Sequence, residues 1–60
     1  MNKLVEMRKK NGLTTENMAK LLGVAQKDYE VFEKNILKMP TSLGVRISQI
    51  FGVRLADIFL

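Results

Sequence analysis

Apolar residues recur along this chain every three or four positions, the spacing of a helix face, and almost nowhere in the alternation of a strand. Leu4 and Met7, with Arg8 beside them, mark the inner face of a helix over residues 2–10. Lys9, Lys10 and Asn11 sit in its last turn, where cations suit the helix dipole, and Gly12 is placed to end it. Thr14 offers a side-chain oxygen as N-cap to a second helix over 15–22, with Thr15 and Glu16 in its first turn. That helix is expected to bury Met18, Leu21 and Leu22, and Ala19 is small enough to let another helix cross closely. Gly23 can take the left-handed conformation that a sharp corner requires.

A third helix follows over 26–34, with Ala25, Tyr29, Phe32 and Ile36 as its buried stripe. Its N-cap position falls on Ala25, which has no oxygen to give, a loss typically worth ~1 kcal/mol. Asp28, three residues on, is placed to reach back to the freed N–H groups as half of a capping box. A linker over 35–41 leads to a fourth helix over 42–51, with Leu43, Ile47, Ile50 and Phe51 on one face and Gly52 ending it. A short fifth helix over 55–60 turns Leu55, Ile58 and Phe59 inward. Five short helices with short connections predict an all-α fold: a compact orthogonal bundle, one domain over 1–60.

Sixty residues suffice for one domain, and a chain this short buries only about 60% of its unfolded surface. Cys and His are both absent, which removes disulfides and leaves no basis for a zinc or other metal site. The apolar share is 47%, yet its runs are short, so no membrane span is expected. Residues 1–6 lack a signal-peptide core, which makes the cytoplasm the expected location. Met1, Met7, Met18 and Met39 read as gap-fillers in the core. No nucleophile–base set, P-loop or dinucleotide glycine pattern is present, so an enzyme, a cofactor and a small-molecule substrate all lack a foothold. The net charge of +4 suits attraction to a polyanion without being diagnostic.

Helix, glycine corner, helix is the arrangement of the helix-turn-helix, whose second helix lies in the major groove of DNA. The informative runs are Gly12-Leu13-Thr14-Thr15-Glu16, then Met18-Ala19-Lys20-Leu21-Leu22-Gly23-Val24, then Phe32-Glu33. With these the sequence resembles the Cro/Xre-like helix-turn-helix proteins, which include the lambdoid phage repressor domains. The resemblance continues through Ile50-Phe51-Gly52-Val53, Leu55 and Asp57-Ile58-Phe59, and so covers nearly the whole chain. It implies a lambda-repressor-like fold and a homodimeric regulator of transcription. It also implies an ion pair between Arg8 and Glu33, linking the first helix to the end of the recognition helix. Thr15 stands where relatives often have a Gln that meets phosphate or a base, and Gln26 and Lys27 stand where relatives reach base edges. An acidic or polar residue at the position of Glu30 occurs in phage repressors too. The chain departs from the pattern at Ala25 (usually a Ser or Thr cap), Asp28 (a small polar residue) and Val31 (a polar one). Asn35 replaces a common Gly, tolerable because Asn also visits the left-handed region, and Pro40 lies one position off the commonest spacing.

Stepping about 100° per residue from Tyr29 turns Lys27, Val31 and Lys34 outward together, with Glu30 near them. On the resemblance, Gln26 and Lys27 contact bases, Val31 touches a thymine methyl, and Lys34 and Lys38 meet phosphates. The bland alternative is a solvated helix face with one exposed valine. Glu30 has three readings: it accepts from a cytosine amino group, repels the wrong sequence, or faces solvent. The helix has no Arg, so base specificity is expected to be modest or to lean on DNA shape. Lys9, Lys10 and Lys20 are either phosphate anchors or plain surface, and Arg46 is expected on the polar side of the fourth helix, away from the corner.

The C-terminal segment is unusually apolar, and Val53, Phe59 and Leu60 are candidates to meet a second copy across a two-fold axis. The expectation is a double-stranded DNA-binding transcriptional regulator: a homodimeric repressor that occludes a promoter. Its rival is a helix-turn-helix-fold module that no longer binds DNA and engages a protein partner instead.

Overall fold

The computed structural model describes residues 3–59, and within them the chain runs through five α-helices and one short 3-10 helix. Helix α1 is Lys3–Lys10, α2 Thr15–Leu22, α3 Gln26–Lys34, α4 Thr41–Phe51 and α5 Leu55–Phe59. Asn2 and Leu60, assigned above to the ends of the first and last helices, lie outside the described residues, as does Met1. The segment 35–41 is more ordered than a linker, because Ile36–Lys38 forms the 3-10 helix. Asn35 is not left-handed, as a Gly substitute there would be: it is extended (φ −146°, ψ 97°), and its side chain accepts from the Leu37 N–H at 3.1 Å. An Asn at this place caps the turn with its side chain, which a Gly could not do. Helix α4 begins one residue earlier than expected, with Pro40 at the cap position.

The corner between α2 and α3 follows from local chemistry. Thr14 caps α2 by accepting from the Asn17 N–H at 3.0 Å, while Asn17 Oδ1 accepts from the Thr14 N–H at 3.3 Å. The reciprocal pair is a capping box with Asn in the place usual for Glu or Gln. At the far end Gly23 is left-handed (φ 71°), and the Val24 N–H bonds the Ala19 carbonyl at 3.0 Å, the closing bond of a Schellman motif. A side chain at that φ would be strained, which is why the corner falls on glycine.

The core is formed by Leu4, Met18, Ala19, Leu22, Tyr29, Met39, Ile47 and Ile58, with Met7, Leu13, Val24, Phe32, Ile36, Leu43, Phe51, Val53 and Phe59 packed around it. Every α-helix contributes, and the closest association is between α2 and α3. Gly44 is buried in α4 because the ring of Phe59 lies across it: a Cβ there would be 2.7 Å from Phe59 Cζ. Four residues expected inside are not. Leu21, Ile50 and Leu55 stand well exposed, and Ala25 is exposed at the mouth of α3. Periodicity fixes which residues share a helix face, not which of them a neighbouring helix covers.

Candidate nucleic-acid interface

Helix α3 is held from its inner side. Tyr29 is fully buried, and its hydroxyl donates to Glu33 Oε2 at 2.5 Å. The same carboxylate accepts from Arg8 Nε at 2.6 Å and Nη2 at 3.3 Å, the two-pronged geometry of a guanidinium fork. Arg8 Nη1 also donates to the Leu13 carbonyl at 3.0 Å, so one side chain joins α1, the loop before α2 and the end of α3. The ion pair expected between Arg8 and Glu33 is therefore formed and nearly buried, with side-chain exposures of 13% and 11%. The Glu33 hydrogen bond holds the Arg8 guanidinium pKa above its ordinary value. Burial, and then the bond to Glu33, push the Tyr29 phenol far above the usual tyrosine range.

The outward face of α3 carries Gln26, Lys27, Glu30, Val31 and Lys34, all exposed, and Lys38 is exposed on the following turn. Among the described residues Lys27, Lys34 and Lys38 take part in no ion pair, so their charges are open to solvent. Val31 keeps 41% of its surface exposed. Beside this face, at the start of α2, Thr15 is half-buried and faces α3. Thr15 Oγ1 donates to Glu30 Oε2 at 3.0 Å, and Gln26 Nε2 donates to Thr15 Oγ1 at 3.0 Å and to Glu30 Oε2 at 3.2 Å. Three of the candidate contact residues are thus brought into one hydrogen-bonded triangle spanning the two helices.

The acids of α3 are arranged differently from expectation. Asp28 makes no hydrogen bond back to the Ala25 N–H, and α3 begins with no side-chain cap, although Ala25 has the extended backbone of a cap residue (φ −67°, ψ 145°). Glu30, with no firm role on sequence, finds partners in Thr15 and Gln26. Gln26 and Glu30 stand one helical turn apart, a spacing at which side chains meet, and the structure joins them.

Arg46 is also relocated. It reaches the corner itself: Nη1 donates to the Leu22 carbonyl at 3.3 Å and lies 3.9 Å from where a Cβ on Gly23 would stand. A cation at the last carbonyls of α2 is favoured by the helix dipole, and it ties α4 to the turn. Val53 and Phe59 are half-buried against the core, Leu60 lies outside the described residues, and the neighbouring Leu55 is 39% exposed. Among the described residues no group of three or more His, Cys, Asp or Glu gathers as a metal would require, and no helix is long and apolar enough to cross a membrane.

The chain is 37% identical, over 59 residues, to an uncharacterized HTH-type transcriptional regulator of Methanocaldococcus jannaschii; the match covers 98% of this chain and 89% of the relative. It is 33% identical, over 55 residues, to an uncharacterized HTH-type transcriptional regulator of Archaeoglobus fulgidus, covering 92% and 79% respectively. No protein-family model matches the sequence, and no solved structure does.

Proposed function

This chain belongs to the helix-turn-helix-type transcriptional regulators, and on that footing we propose that it binds double-stranded DNA with α3 in the major groove. The observation that carries the reading is the contrast between the two sides of α3. The inner side is pinned through Tyr29 and Glu33, while the outer side presents Lys27, Val31 and Lys34 to solvent with both cations unpaired. Lys34 and Lys38 meet phosphates; Lys27, Gln26, Glu30 and Thr15 face the base edges, and Val31 suits a thymine methyl. The kinship within the family is of the Cro/Xre-like kind, and the domain spans residues 1–60.

The protein acts as a homodimer, Val53, Phe59 and Leu60 meeting their counterparts, so that two copies of α3 sit one turn of DNA apart. Bound at a promoter in the cytoplasm, the dimer represses by excluding polymerase. The competing reading, a protein-interaction module, draws on Leu37, whose surface is 83% exposed just beyond α3.

Titrating random-sequence duplex at several salt concentrations tests the proposal. Binding should weaken with salt at a slope of about −0.9 per phosphate contacted, and Lys34→Ala should shallow that slope by about one contact. Absence of any retained duplex in dilute buffer would remove the DNA reading and favour the protein-interaction module. Sedimentation giving a concentration-independent monomer mass would remove the dimer.

A further inference from the structure

The triangle of Thr15, Gln26 and Glu30 does more than join two helices. A glutamine that recognises adenine does so with both ends of its amide, donating from nitrogen to N7 and accepting at oxygen from N6. Here Gln26 Nε2 is directed at two acceptors within the protein, Thr15 Oγ1 and Glu30 Oε2. The amide cannot be turned over without setting its oxygen against the Glu30 carboxylate, because an ionised carboxylate only accepts. Gln26 Oε1 has no partner among the described residues, so the side chain is left with an acceptor to offer. Glu30 adds a second, since Oε2 receives both internal bonds and Oε1 receives none.

We infer that Glu30 is a specificity-determining residue: with Thr15 it locks the Gln26 amide, and the resulting pair of acceptor oxygens selects cytosine in the major groove. The inference rests on the DNA-binding reading above. Of the four bases, guanine shows two acceptors there and thymine shows one beside its methyl, so both set oxygen or nitrogen lone pairs against the protein's own. Adenine offers its amino group but places N7 next to it. Cytosine alone presents an amino donor and no acceptor. The carboxylate on a DNA-facing helix therefore weakens attraction to phosphate in general and restores it at one kind of base.

The test is selection of bound sequences from a randomised duplex pool by the full chain, compared with Glu30→Gln and Thr15→Val. All three side chains of the triangle lie at the surface or half-buried, and thermal melts followed by circular dichroism check that each variant folds. The wild type should enrich cytosine over guanine at one position of each half-site by about tenfold, within the range of a single good base contact. Glu30→Gln should flatten that preference or pass it to adenine, since the released Gln26 amide can then use both ends. Thr15→Val, which keeps the carboxylate, should weaken it less. Salt-sensitive binding with no cytosine position, or with the same preference in Glu30→Gln, would overturn the inference and leave DNA binding intact. Retention of no duplex would overturn both.

Discussion

Two arginine–carboxylate pairs among the described residues differ sharply in burial, and the more buried one is also the shorter and the better bonded. In the first, Arg8 and Glu33 are about nine-tenths buried, and Glu33 also accepts the Tyr29 hydroxyl. In the second, Arg54 Nε lies 3.4 Å from Asp57 Oδ2 with side-chain exposures of 84% and 47%. Replacing Glu33 by Gln keeps the shape but leaves the Arg8 guanidinium in the interior without its counter-charge. Breaking a buried pair from one side costs roughly 3–5 kcal/mol, and the residual exposure of Arg8 argues for the lower end, about 3 kcal/mol. A domain of sixty residues should have only ~3–9 kcal/mol in total. Glu33→Gln should thus remove a third or more of the stability and lower Tm by roughly 12 °C or more. Tyr29→Phe, which removes one hydrogen bond to the same carboxylate, should cost about 1.5 kcal/mol. Asp57→Asn should leave Tm where it was, because a solvated pair contributes little. Thermal unfolding by far-ultraviolet circular dichroism measures all three. Equal Tm shifts for Glu33→Gln and Asp57→Asn would refute the argument that burial sets the ranking.

Alkaline pH probes the same cluster from the other side. Burial and the bond to Glu33 raise the folded-state pKa of Tyr29 above its ordinary value of 10.0, so the folded chain keeps a proton that the unfolded chain gives up. The stability this contributes is whole below about pH 10 and declines above it by about 1.4 kcal/mol per pH unit. Tyr29 is the sole tyrosine, so phenolate absorbance should rise together with loss of helix signal, and Tyr29→Phe should remove that part of the pH dependence; ionisation near pH 10 in a still-folded protein would contradict the assignment. Ala25 already has the backbone of a cap residue, and Ala25→Ser should raise stability by about 1 kcal/mol in a denaturant titration. Gly44→Ala should be net destabilising by about 1 kcal/mol, since crowding of the Phe59 ring outweighs the gain in helix propensity, and Phe59→Leu in the same chain should recover the loss.

Helix number and type were legible because a period near 3.6 survives even in short segments, and the corner was legible because so few residues other than glycine accept the backbone of Gly23. The pairing of Arg8 with Glu33 was legible only through resemblance, because the two lie 25 residues apart and nothing local connects them. Other features depend on where helices cross, which a single-helix projection does not contain. The exposure of Leu21 and Ile50 is one, the burial of Gly44 beneath Phe59 another, and the reach of Arg46 to Leu22 a third. Asp28 shows the limit of cap rules: an acid at the right spacing is necessary for a capping box, but the reciprocal side chain is absent at Ala25, and the bond does not form.

The third helix is tied at both ends by polar side chains, and the two ties differ in what they can supply. Glu33 and Tyr29 anchor its end to Arg8 out of water, where a lost partner is costly and the bond therefore counts towards stability. Thr15 meets Gln26 and Glu30 at its start in contact with solvent, where water replaces any bond that is broken and stability hardly changes. What the second tie fixes is orientation: which end of an amide, and which oxygens, the helix holds outward. On the proposed reading the two sets of substitutions should therefore separate. Changes at Glu33 should lower Tm and reduce binding to every duplex in proportion to the unfolded fraction, whereas changes at Glu30 should leave Tm in place and redistribute affinity among sequences. On that reading a buried ion pair helps keep the helix in place, and an exposed triangle decides what it reads.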